Sequence, residues 1–242
     1  MATKNETTTK ITIKPMKVKS TQITIVGDTP LLVHAWSEKA KKEMLDNQRK
    51  EGKTKIAKEK RDPFMEFCDA LYWITPKPKE LNDKALSETE RMEVFERAVA
   101  EGAKFGFPMT AIKQAALSAC YRAGIIPNQV GMKCAFWLNA VDGVNRGTGS
   151  ELAVIETDEP PVLREDMVKI GGISKSADLR YRPEFTNWKI RMIISLNDIG
   201  TFDMESIINA INMGGFMNGI GEWRMERDGD FGRYHVEIGE AA

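Results

Sequence analysis

One stretch restricts the fold more than any other: KIRMIISLN at residues 189–197, then DMESIINAINMGG, then a glycine-rich passage and FGRYHVEI. Ile190, Met192, Ile194 and Leu196 alternate with Lys189, Arg191, Ile193 and Ser195, the period of two by which a strand buries one face. Asp203 stands where a helix cap belongs. Ile207, Ile208, Ala210 and Ile211 then recur on one helical side, and Gly214 is placed to end the helix. Tyr234, Val236 and Ile238 alternate with Phe231, Arg233, His235 and Glu237, which predicts a final strand. A strand, an apolar-striped helix and a second strand must share one core, so the C-terminal third predicts a sheet with a helix packed on it.

The upstream sequence supplies partners for that unit. TQITIVG reads as a strand broken by Gly27-Asp28-Thr29-Pro30; LLVHAW resumes the apolar pattern, and Ser37 caps a helix in SEKAKKEMLDNQ. Asp62-Pro63 opens a helix carrying Phe64, Met65, Phe67, Leu71 and Trp73. Ser87 and Glu90 have capping-box spacing, for a helix ending at Gly102. Gly106-Phe107-Pro108 begins another, MTAIKQAALSACYRAG, whose small residues let it lie close to a neighbour. KCAFWLNAV and ELAVIET read as two strands of a hairpin joined by DGVNRGTGS.

The order strand, helices, hairpin, strand, helix, strand predicts an α+β fold with a ferredoxin-like βαββαβ core. The expected organisation is a flexible N-terminal arm over 1–19 and one domain over 20–240, with a basic insertion at about 48–61 and a helical insertion at about 74–105. A chain of 242 residues, 42% hydrophobic, is long enough for one such core. Lysine plus arginine equals aspartate plus glutamate, 35 each, so any basic surface has to be a local patch. Cys68, Cys120 and Cys134 show no metal or disulfide spacing and read as core residues of a protein in a reducing cytoplasm. Neither a secretory signal nor a bilayer-spanning apolar run is present in the sequence.

The glycine-rich passage poses the functional question. Gly214, Gly215, Gly219, Gly221, Gly229 and Gly232 exceed what a helix cap needs, and bare amides between arginines could cradle phosphates. Arg224, Arg227 and Arg233 are then phosphate contacts, and Trp223 and Tyr234 stacking groups for bases. The alternative is a tight hairpin with Trp223 packed inward and Glu222, Glu226 and the arginines paired at the surface. ADLRYRPEFTNWK adds Arg180, Tyr181, Arg182 and Trp188, the mixture expected of a single-strand platform unless its aromatics pack and its arginines pair with acids. Lys53, Lys55, Lys58, Lys60 and Arg61 form a basic run, either a solvated loop or a mobile clamp on the backbone.

The arrangement INMGGFMNGIGEWRMERDGDFGRYHVE resembles the RAMP superfamily of CRISPR-associated RNA-binding proteins, in which a glycine-rich loop lies between a helix and the last strand of a ferredoxin-like unit. Over roughly residues 20–240, through PLLVHAWSEKAKKEM, GFPMTAIKQAA, ADLRYRPEF and GIGEWR, the chain also resembles a widespread family of bacteriophage proteins, a likeness that carries no activity with it. The first resemblance implies subunits assembled side by side on single-stranded RNA. Together they imply a single-stranded RNA- or DNA-binding homo-oligomer in the cytoplasm of a bacterial host, serving nucleic-acid metabolism or counter-defence. A protein-assembly subunit without nucleic acid is the alternative.

For catalysis the sequence offers little. His34 and His235 are the two histidines, neither in a metal-ligand spacing, and no nucleophile elbow or phosphate loop occurs. Many metal-free RAMP endoribonucleases use a histidine near the first helix, so that resemblance makes His34 a candidate general acid or base. No metal and no cofactor are expected.

Overall fold

In the computed structural model the described residues are 15–36, 61–145, 151–170 and 176–238, with positions 41, 44, 45 and 48. Lys53, Lys55, Lys58 and Lys60, most of the expected N-terminal arm and most of the helix expected after Ser37 lie outside them.

The central element is β1 (Val18–Gly27). One edge pairs antiparallel with β9 (Lys189–Asn197), from Val18 opposite Asn197 to Val26 opposite Lys189. The other pairs with β10 (Tyr234–Glu237), Ile25 lying opposite Val236. β4 (Phe136–Ala140) adds to the far side of β9, giving the order β10-β1-β9-β4, antiparallel throughout. The alternation in the sequence becomes two faces. Ile23, Ile25, Ile190, Met192, Ile194, Phe136 and Leu138 are buried on one, and α3 (Met109–Arg122) and α5 (Met204–Met217) contribute Ile112, Ala116, Ile207 and Ile211 to the same core.

Asp203 caps α5 as expected, its carboxylate accepting from the Ser206 amide at 2.8 Å. The helix does not stop at Gly214, however; it runs to Met217, with Asn218 as its cap. Gly214 lies where α5 meets α3, and a Cβ there would sit 2.8 Å from the Ala116 nitrogen. The glycine serves a close crossing rather than an ending.

Two other expectations need correction. β4 does not form a hairpin with β6 (Glu151–Val154), which pairs with β3 (Gly106–Pro108) and β5 (Val144–Asn145). β9 offers β4 a longer apolar row in register, Leu196, Ile194 and Met192 opposite Phe136, Leu138 and Ala140, and burying that row is the larger gain. Gly106–Pro108 is likewise a short strand rather than a helix start. The chain between β4 and β9 also carries a long hairpin, β7 (Val162–Ile170) with β8 (Ser176–Phe185), joined at its edge by β2 (Leu31–Leu32).

The inserted helices are α1 (Pro63–Ala70), with Asp62 accepting from the Met65 amide, and α2 (Glu88–Ala100), whose capping box between Ser87 and Glu90 is complete. Between them Phe64, Phe67, Trp73, Phe95 and Phe105 pack ring on ring at 4.9 to 6.1 Å. A further helix, α4 (Gln129–Ala135), leads into β4. The protein is thus α+β with antiparallel sheets, and among the described residues no helix is long and apolar enough to cross a membrane. Cys68 and Cys120 are buried as expected, whereas Cys134 is exposed.

Candidate functional site

The glycine-rich segment is closed upon the chain itself. The Ile220 amide donates to the Gly232 carbonyl, Gly232 donates to Pro30, Phe231 to Trp223 and Glu222 to Leu32, at 2.8 to 3.1 Å. A Cβ on Gly221 would fall on the Leu32 carbonyl oxygen and one on Gly232 on that of Ile220, both at positive φ. The backbone room at Gly221 and Gly232 is therefore filled by neighbouring main chain, and Gly219, with Phe231 and Gly232 oxygens at 3.0 and 3.1 Å from its Cβ position, is in the same state. The open cradle expected for a guest polymer is absent here.

The cations and rings assigned to that cradle are also engaged elsewhere. Arg224 gives Nε and Nη2 to Glu226 and Nη1 to the Gly221 carbonyl. Burial alone would raise the Glu226 carboxyl, but Arg224 and the charges of Arg122 and Arg227 outweigh it and hold it below the usual range. Arg182, 7% exposed, lies between Asp166 and Glu222, and Arg180 and Arg61 both meet Asp178. Arg61 also covers the Tyr181 ring, and Arg233 the exposed Phe216. Arg227 stays exposed at the loop surface. Trp188 and Tyr234 are buried and pack edge to face at 6.3 Å, so neither can stack on a base. Trp223 is half-buried between Arg182 and Phe231. An arginine that neutralises a nearby carboxylate has little left for phosphate, so Arg61, Arg180, Arg182 and Arg224 do not form a phosphate track.

Two other surfaces stand out among the described residues. The first is a cavity of about 290 Å³ that brings His34 beside Gly219 and Gly221. Phe107, Pro108, Ala111, Ala115 and Ile220 make its apolar wall; Tyr72, Glu222, Arg224 and Glu226 stand at its polar side. The Tyr72 hydroxyl donates to the His34 carbonyl at 3.2 Å. Burial lowers the His34 pKa from its ordinary value, Glu222 pulls it back up, and Arg182 and Arg180 reinforce the lowering. The ring is neutral at pH 7, and its Nδ1 is buried without a hydrogen-bond partner.

The second surface is the face of the β10-β1-β9-β4 sheet turned away from α3 and α5. Strand register arranges it in rows: Trp137, Ser195 and Ser20; Asn139, Ile193 and Gln22; Arg191 and Thr24 with Glu237; Lys189 and Val26 with His235. Trp137 is 64% exposed, with Lys113 Nζ 5.0 Å from its ring. Ser20 and Ser195 share a hydrogen bond at 3.2 Å. Arg191 is tied to Glu156 and, at 2.8 Å, to Asp142, whereas Lys189 is exposed. Parity in the sequence could have found this face, because Trp137 lies out of phase with Phe136, Leu138 and Ala140.

The chain matches no family model and no curated protein. Among the described residues no group of histidine, cysteine, aspartate and glutamate is arranged to hold a metal ion.

Proposed function

We propose that the protein binds single-stranded nucleic acid on the open face of its four-stranded sheet. The observation that carries this reading is Trp137, an exposed indole at one corner of a surface of hydroxyl and amide side chains, with Lys189 two rows beyond Asn139 and Ile193. Same-face residues along a strand are about 6.8 Å apart and strands about 4.8 Å, so the face has room for two or three unstacked bases. Serine, asparagine and glutamine side chains there can meet base edges, and Lys189 can meet the backbone. The strand order supports a ferredoxin-like reading of the core: the last strand lies beside the first, the first beside the third and the third beside the second, with the β5 to β8 segment inserted in what would be the central hairpin. The RAMP-like and phage resemblances favour a self-assembling protein acting on phage or host nucleic acid in the bacterial cytoplasm.

The test is fluorescence anisotropy of a labelled single-stranded oligonucleotide at low ionic strength, with RNA and DNA in parallel. Base stacking on an aromatic is worth about 1 to 3 kcal/mol, so Trp137→Ala should weaken binding by roughly five- to 150-fold. No binding by the unmodified protein, or no change in the variant, refutes the reading. Light scattering that shows the same assembly with and without oligonucleotide would favour a protein-assembly subunit instead.

A further inference from the structure

The cavity beside the glycine loop has a chemistry that the sheet face does not use. Two of its charged groups are saturated: Arg224 is spent on Glu226 and the Gly221 carbonyl, and Glu226 Oε1 also takes Arg122 at 2.6 Å. Glu222 differs. Among the described residues its carboxylate has one ion-pair partner, Arg182 Nη2 at 3.3 Å, and its side chain is 41% exposed. A carboxylate has about four acceptor positions, so most of them stay available to a ligand. His34 also lines the cavity, its Nδ1 buried without a partner. Being neutral, the ring offers one donor and one acceptor. Phe107, Pro108 and Ile220 line the same cavity with apolar surface, and about 290 Å³ suits one planar ring system.

We infer that this cavity captures a single guanine base, with the Glu222 carboxylate accepting from the adjacent ring N–H and amino N–H, and His34 meeting the base's acceptor edge. Guanine is the base whose two neighbouring donors match both carboxylate oxygens. Adenine and cytosine set a ring-nitrogen acceptor beside their amine, and uracil flanks its N–H with carbonyl oxygens, so each turns a lone pair toward the carboxylate. The inference rests on the nucleic-acid reading for its setting, since the base would belong to the bound strand.

Guanosine is the probe, because without a phosphate it gains nothing from surface cations. Titration into the protein, followed by amide NMR, should shift the signals of Gly219, Ile220 and Gly221. Uridine, cytidine and adenosine should bind more weakly by roughly tenfold or more, the scale of one bidentate base contact. Glu222→Gln should weaken guanosine by a similar factor, and Ala111→Phe, which fills the slot from α3, should do the same without touching a charge. Equal shifts with all four nucleosides, or guanosine binding unchanged in both variants, overturns the inference. A uridine-only oligonucleotide run alongside separates the two sites. If it binds while guanosine leaves those amides unmoved, the pocket is refuted and the sheet face stands; guanosine binding without oligonucleotide binding has the reverse meaning.

Discussion

Replacing Gly232 by alanine tests whether the glycine-rich segment is shut against its own chain. Gly232 has φ +67°, and a Cβ would land on the Ile220 carbonyl oxygen, main chain that cannot rotate away. Forcing alanine into the left-handed region costs about 1 to 2 kcal/mol. Moving Ile220 aside strains two hydrogen bonds, Ile220 to Gly232 at 2.9 Å and Gly232 to Pro30 at 2.8 Å. These contribute about 1 kcal/mol each. The sum, about 3 to 4 kcal/mol, is a large part of the roughly 5 to 15 kcal/mol that holds a typical protein folded. Urea unfolding followed by tryptophan fluorescence should show a lower midpoint with an unchanged slope, and Tm should fall by roughly 6 to 16 °C. Gly131 supplies the control. It lies inside α4 with open space around its Cβ position, so alanine there should stabilise by about 0.5 to 1 kcal/mol. A Gly232→Ala protein within about 1 kcal/mol of the parent would refute the reasoning. It would mean that the loop opens easily and that its bare backbone serves something other than internal packing.

Further outcomes follow from the same geometry. Asp62 caps α1 and also pairs with buried Arg91 at 2.6 Å, so Asp62→Ala should destabilise by about 3 to 5 kcal/mol. Ser87→Ala, which removes a cap alone, should cost about 1 kcal/mol, and equal losses in urea unfolding would contradict the role given to Arg91. Because the folded His34 has a pKa below its unfolded value, the unfolded chain takes up the proton first; stability present above about pH 6.5 should be lost as pH falls toward the folded value, and His34→Gln should flatten that slope. Identical urea midpoints against pH for the two proteins would sink this. Burial pushes the Cys68 thiol up to about 12, so maleimide should label exposed Cys134 in the native protein and reach Cys68 only on unfolding. Lys189→Ala should lower the slope of log affinity against log salt by about 0.7 if that side chain meets a phosphate of a single strand.

Local elements were legible where periodicity and caps agreed. The alternation of Ile190 to Leu196, the aspartates at 62 and 203 and the box at Ser87 each recur in the structure as read. Pairing was less legible, because ELAV and KIRMIISLN are both plausible neighbours for FWLNA and only register against a buried row separates them. VLREDMVKI hid as a strand because Arg164, Glu165 and Asp166 interrupt its alternation; in the structure Arg164 bonds to Asp166 at 2.7 Å and to Glu184 at 2.8 Å. Of the expected site, Trp188 and Tyr234 went to the core, and most of the arginines found carboxylates. Neither fate can be read from composition, since a ring or a guanidinium looks the same in sequence whether its partner is a nucleotide or another part of the chain.

The position of β1 has a consequence for synthesis. β1 is synthesised more than 160 residues before the first of the two strands that claim its edges is complete, Lys189–Asn197 on one side and Tyr234–Glu237 on the other. At about 5 to 20 residues per second, its hydrogen-bonding edges stay vacant for roughly ten seconds or longer before either partner exists. During that interval Ile23 and Ile25 form part of an adhesive ribbon, and a message cut short before residue 189 would release chains fixed in that state. Such fragments should depend on holding chaperones, or precipitate, far more than the finished polypeptide does.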